Sequence, residues 1–308
     1  IVSINNIRML PGTEIEQDES RKKYGFETKY RFIPNSYGKY DGKFVFEIEE
    51  AIVASNTMTE KEMNELKTLH FLIQFLWNSS FAINILRIGN DYGFNPVDVI
   101  LNIQQTKSNH EVAEILNSLR WESEKEWFSS EESLMQFYSR PGNYQHLFGE
   151  EPSEKLIWKY FAIFYYKKGL IAGLINLILE ELLNRTSVDR GLLNIAAKLS
   201  LDRVRQDLRD DKNLQKVNHY KVNKEHYVYL KNKKIIPQLT EYSNGGFALL
   251  YTYNESDLVF INNLFNRFRY DKQPIQAISR SLGYGLISML TYKVGVPSAL
   301  ERKETALI

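Results

Sequence analysis

The 308-residue chain sets 39 Lys and Arg against 38 Asp and Glu, so it has no global field to draw in nucleic acid or anionic lipid. Its 43% hydrophobic and 25% charged residues are those of a folded globular chain with one large core or two ordinary ones. Cysteine is absent, which excludes disulfides, cysteine nucleophiles and thiolate-held zinc or iron–sulfur clusters within this chain.

The opening run Ile1-Val2-Ser3-Ile4-Asn5-Asn6-Ile7 reads as a strand that continues to Leu10, with Pro11-Gly12 as a turn. A strand needs neighbours for its backbone groups, and the expectation is that these partners lie upstream of Ile1. Residues 16–24 predict a short helix stopped at Gly25. Segments 29–33 and 43–54 read as extended, with Phe44, Phe46 and Ile48 alternating with Val45, Glu47 and Glu49. Asn35-Ser36-Tyr37-Gly38 and Asp41-Gly42 are read as the turns between them.

A helical region follows. Thr59-Glu60-Lys61-Glu62 has the spacing of a capping box, and Leu69, Ile73, Leu76, Trp77, Ile83 and Leu86 recur at helical spacing beyond it. Asn95-Pro96 opens another helix with Pro in its first turn. Further helices are expected near 111–120, 131–140, 153–184 and 188–210. The apolar stretch 156–183 holds Lys159, Lys167, Lys168, Glu180 and Glu181, which predicts a buried helix rather than a membrane span. The sequence then turns strand-like at 226–230 and 247–251, with turns at Asn232-Lys233 and Asn244-Gly245-Gly246, and helical at 258–268 and 275–282. That order predicts a small winged-helix-like unit, followed by a loose tail after Pro297.

The fold class expected is therefore α+β. A short β-rich segment spans 1–58, a helical domain 59–214, and a small mixed α/β winged-helix-like unit 215–308. The first residues lack the basic-then-apolar pattern of a secretory signal, so a cytoplasmic location is expected, with neither membrane nor nucleic acid as partner.

Few constellations point to chemistry. No two of the five histidines sit at i, i+4 in a zinc-binding HExxH pattern; His70 reads as a core residue, and His219 and His226 as surface residues. Gly169 and Gly173 have small-xxx-small spacing, which in a helix of this kind means close packing. Gly283-Tyr284-Gly285 reads as a helix cap. Glu49 and Glu50 fall on opposite faces of a strand and cannot act jointly on one group. Lys231, Lys233 and Lys234 beside Tyr227, Tyr229 and Tyr242 read as an exposed hairpin with gatekeeping lysines, in preference to a patch for single-stranded nucleic acid. The strand ending at Arg8 and followed by Gly12, Thr13 and Glu14 sets polar groups at a strand's carboxyl end, where parallel α/β barrels bind substrates.

The run Ile7-Arg8-Met9-Leu10-Pro11-Gly12-Thr13-Glu14, then Arg21-Lys22-Lys23-Tyr24-Gly25, Thr28-Lys29-Tyr30-Arg31 and Glu49-Glu50-Ala51-Ile52-Val53-Ala54-Ser55-Asn56-Thr57-Met58, resembles the cobalamin-binding radical S-adenosylmethionine family. The resemblance implies that residues 1–58 close the edge of a radical-enzyme barrel and lead into a helical C-terminal region. It implies a parent enzyme using S-adenosylmethionine, a [4Fe–4S] cluster and cobalamin, whose N-terminal cobalamin and cluster domains are the partners of this chain. The family's CxxxCxxC motif has no counterpart here, so no cofactor is assigned to this chain and it is not expected to be catalytic alone. Arg8, Gly12, Thr13 and Glu14 become candidates for a substrate pocket at the barrel mouth.

A second resemblance covers residues 226–285. Phe247-Ala248-Leu249-Leu250, Asp257-Leu258-Val259-Phe260-Ile261-Asn262 and Gln273-Pro274-Ile275-Gln276-Ala277-Ile278 are similar to the winged-helix domains that grip leader peptides in peptide-modification pathways. It implies a peptide substrate, taken up by strand addition at a sheet edge, or a self-contained peptide- or protein-binding module.

Overall fold

A computed structural model describes residues 7–143, 156–185, 188–205, 215–252, 256, 258–260, 262–263 and 291–297. The fold is α+β, with two antiparallel sheets and a helical body among the described residues. The predicted helical region 275–282, the Gly283-Tyr284-Gly285 cap and the tail beyond Pro297 lie outside the described residues.

A short helix, α1 (Asp18–Tyr24), precedes a long ribbon of β1 (Glu27–Tyr40) and β2 (Lys43–Ala54). Gly25 ends α1 in the left-handed conformation at φ +59°, and a Cβ there would meet the Asn56 side-chain oxygen at 2.0 Å. The ribbon turns through Asp41 and Gly42, both at positive φ, which is the two-residue turn that suits the twist of a hairpin. The turn expected at 35–38 is not there. Those residues belong to β1, where the register shifts between Phe32 and Tyr37. An irregularity in the ladder is how a strand accommodates Pro34, which has no N–H to donate.

The helices begin with α2 (Glu60–Leu72), opened by the expected capping box between Thr59 and Glu62. The helical periodicity does continue past Leu72, but not as one straight helix. Ile73–Asn78 form a π-helical stretch, Ser80 takes φ +63°, and α3 (Ile83–Asp91) leaves at 92°. The Ser79 amide and hydroxyl both donate to the Gln74 carbonyl, at 3.0 and 2.7 Å, and satisfy the backbone where the ladder breaks. Then come α4 (Pro96–Gln105), α5 (His110–Lys125), α6 (Glu131–Tyr138), α7 (Leu156–Tyr166), α8 (Lys168–Arg185) and α9 (Arg190–Arg203). The helix expected over 153–184 is thus two helices, set about 90° apart at Lys167. No single helix among the described residues is long and apolar enough to cross a membrane. Gly173 lets α8 close onto α5, since a Cβ there would lie 2.7 Å from Asn109 Nδ2.

The main core runs from α2 through the helices to the C-terminal sheet. Its centre is aromatic: Phe75 lies 4.5 Å from Phe81 and 4.9 Å from Phe161 by ring centroid, with Phe71 and Phe164 beside it. The C-terminal sheet has the order β3 (Gln215–Lys221), β4 (Gly246–Thr252), β5 (Lys293–Gly295), all antiparallel. The strand expected at 226–230 is a helix, α10 (Lys224–Asn232), capped by the Asn223 side chain accepting from the His226 amide at 2.7 Å. Tyr227 and Leu230, one turn apart, bury against the core, and this tertiary contact overrides the strand preference of Tyr and Val. The partner of β4 is instead 215–221, with Tyr220 opposite Phe247.

Candidate functional site

The residues that carry chemistry at the head of the chain converge on the base of the β1–β2 ribbon. Leu10-Pro11-Gly12-Thr13 form a turn with Pro in its second place and Gly12 at φ +81° in its third, closed by the Thr13 amide on the Leu10 carbonyl at 3.1 Å. The Thr13 hydroxyl donates to the same carbonyl at 2.7 Å, and the Gly12 amide donates to Glu16 Oε2 at 2.7 Å. Before the turn, residues 7–9 pair along the outer edge of β2. The Met9 amide donates to the Glu50 carbonyl at 2.9 Å, and the Ile52 amide to the Ile7 carbonyl at 3.0 Å.

Glu49 and Glu50 do face opposite ways. Glu50 accepts both ends of the Arg21 guanidinium, at 2.7 and 3.0 Å, and the Thr28 hydroxyl at 2.5 Å. The Arg21 hydrogen bonds, helped by Thr28 and opposed by burial, hold its carboxyl below the usual carboxylate range. On the other face Glu49, 7% exposed, accepts from Arg31 and lies 2.7 Å from Arg8 Nε. The Arg8 approach is off the hydrogen-bonding axis, leaving Glu49 Oε2 without an aligned donor; this is an ion pair by distance only. Arg31 also reaches Glu126 Oε2 at 3.4 Å and lies over the Trp127 ring at 4.8 Å.

Lys67 of α2 enters the same cluster. Its ammonium lies 4.8 Å from the Trp127 centroid and has one long hydrogen bond, to the Ser123 carbonyl at 3.4 Å. Burial pushes this amine down to about 8, against the pull of Glu126 in the other direction. Burial also raises the Glu126 carboxyl, although Arg31 and Lys67 oppose it. The sign for Lys67 follows from its folded value lying below the unfolded 10.5. Between about pH 8 and 10.5 the unfolded chain holds the proton more tightly, so this group adds stability as pH rises through that window. Lys67→Met is expected to remove about 1–2 kcal/mol of that rise, after allowance for partial exposure. Urea unfolding of both proteins from pH 7 to 10.5 measures it, and parallel stability curves would refute it.

The four expected pocket residues are thus neighbours in the chain but do not converge on one cavity. Arg8 pairs with Glu49, Gly12 and Thr13 build the turn, and Glu14 starts a three-residue helical turn as an exposed side chain. A cleft of about 510 Å³ between α2, α4 and α5 is lined by none of them. The residues that sequence reasoning missed are Arg31, Lys67, Glu126 and Trp127. Arg31 faces Glu49 in the ladder, but the register shift after Phe32 spoils any count back from the Asp41-Gly42 turn.

The other expected site residues lie elsewhere. His70 is half-buried on α2, and burial lowers its pKa. His219 is exposed, but His226 is not a free surface residue: its Nε2 lies 3.2 Å from Asp189. The Lys and Tyr cluster at 227–242 is tied within the fold. Tyr229 donates to Asp91 at 2.7 Å, Lys233 lies 2.8 Å from the same carboxylate, and Tyr227 donates to the Thr240 carbonyl at 2.7 Å. Among the described residues no group of three or more His, Asp or Glu is placed to hold a metal ion. No protein-family model matches the chain, and no curated protein matches it in sequence.

Proposed function

We propose that this chain is the C-terminal portion of a cobalamin-dependent radical S-adenosylmethionine enzyme, where it completes the barrel and shapes substrate binding without being catalytic alone. The observation that supports this reading is that the scattered segments carrying the resemblance form one bonded unit. Arg8 meets Glu49, Arg21 and Thr28 both donate to Glu50, Asn56 donates to the Lys23 carbonyl at 3.2 Å, and Gly25 packs on Asn56. Residues 7–9, added to the edge of β2, form the seam to the upstream barrel, with Arg8, Gly12, Thr13 and Glu14 at its mouth. A [4Fe–4S] cluster is held by Cys thiolates and the chain has none, so its own residues do not fit that group and no step runs through it here.

Sequencing the coding region upstream of Ile1 tests the proposal. The expected result is one reading frame carrying a three-cysteine CxxxCxxC motif, whose full product, reconstituted without oxygen, shows cluster absorbance and binds cobalamin. A frame that starts at Ile1 with no such motif beside it would sink the reading.

The alternative is a peptide- or protein-binding module whose reader is a winged-helix-like unit at residues 215–308. What favours it is an antiparallel sheet that, among the described residues, has three strands with β3 and β5 at its edges, one of which an extended peptide would extend. Titrating the whole chain with a candidate leader peptide separates the two, since only this reading expects perturbation confined to β3 or β5.

A further inference from the structure

The cleft of about 510 Å³ lies between α2, the end of α4 and α5, within the roughly 300–1,000 Å³ common for small-ligand sites. Its floor is apolar, built from Leu66 and Leu69 of α2, Leu101 of α4, and Met58. Its charges are separated by wall. Glu62 and Glu65 stand on α2, while Lys107 and Arg120 stand on the α4–α5 connection and α5. No ion pair joins the two walls among the described residues.

Two polar atoms of the lining are buried without partners. Arg120 donates through Nη1 to Asn117 at 3.2 Å, yet its Nε has no acceptor. Gln104 donates to the Glu65 carbonyl at 2.9 Å, yet its Oε1 has no donor. Both atoms lie beneath the lining, out of reach of the cleft space, so the charged ends of the lining side chains are what a ligand would meet. The acids are not fully engaged either: Glu62 serves the cap of α2 through Oε2 alone.

From this arrangement we infer that the cleft binds an amphiphilic zwitterion, a free apolar amino acid or dipeptide. Its carboxylate goes to Arg120 and Lys107, its ammonium to Glu62 and Glu65, and its apolar body lies on the leucine floor. The inference does not depend on the identity of the parent enzyme.

Equilibrium dialysis of the 308-residue chain against radiolabelled leucine, leucyl-leucine, and leucyl-leucine blocked at both ends tests it. The expected result is saturable one-to-one binding of a free-ended ligand and weaker binding of the blocked one. Bound ligand should also shield Lys107 from acetic anhydride, read by mass spectrometry. Arg120→Gln should weaken binding about tenfold or more, and Glu65→Gln should weaken it in the same direction. Leucine and leucyl-leucine compete as the two sources of one chemistry, and the tighter identifies the ligand size. Equal binding of the blocked dipeptide overturns the inference. So does no saturation up to about 10 mM, or unchanged affinity in both variants with their circular dichroism intact.

Discussion

Glu49→Gln is expected to cost about 3–5 kcal/mol of unfolding free energy, the range for stranding one partner of a buried ion pair. Glu49 is the single acid between Arg8 and Arg31, with a side chain only 6% exposed, whereas Arg8 is about half exposed. Removing the charge leaves the Arg31 guanidinium beside Lys67 with Glu126 as its one acid among the described residues, a carboxyl that burial already biases toward its neutral form. The companion change Arg8→Ala should cost about 1 kcal/mol or less, because an exposed cation returns to water. Chemical denaturation gives both values, and amide exchange gives the location. The Met9 and Ile52 amides, which tie residues 7–9 to β2, should exchange faster in Glu49→Gln than the amides of α8. Equal costs for the two variants would show that Glu49 is not the anchor of the seam.

Phe75→Ala is expected to cost about 3–5 kcal/mol, through lost transfer energy and the cavity left behind. Phe75 is fully buried and packs against four other phenylalanine rings, two before and after it in the corner and two on α7. It sits in the π-helical stretch, so the rings hold the 92° corner between α2 and α3 from inside. The corner cannot collapse freely, because Ser79 pins its backbone through Gln74. Phe75→Leu, which keeps most of the volume, should cost less than half as much. Denaturant midpoints at unchanged slope would establish the loss, and a cost under about 1 kcal/mol would mean the corner repacks.

Local signals were legible where side chain and backbone answer each other within a few residues. The Thr59–Glu62 capping box, the Asn95-Pro96 helix start and the Asp41-Gly42 hairpin turn are where the sequence predicts them. Signals that depend on the tertiary partner were not. The segment from His226 to Leu230 alternates like a strand, yet Tyr227 and Leu230 also satisfy a helical spacing, and the core decides between them. Asn223 as a cap was the overlooked cue. The opposite orientation of Glu49 and Glu50 followed from strand geometry alone. Their cationic partners, drawn from residues 8, 21 and 31, required the register and the α1 packing to be known.

Two adjacent glutamates also leave the electrostatics partly blind to misalignment. If β2 slid by one residue in one direction, Glu50 would replace Glu49 opposite Arg31, and that ion pair would survive. The same slide would bring Ile52 into the place of Ala51, which is fully enclosed and clusters with Val53 and Trp127. A single-residue slide inverts every side chain of a strand, so the smallness of Ala51, rather than the charge beside it, tells the correct alignment from its nearest impostor.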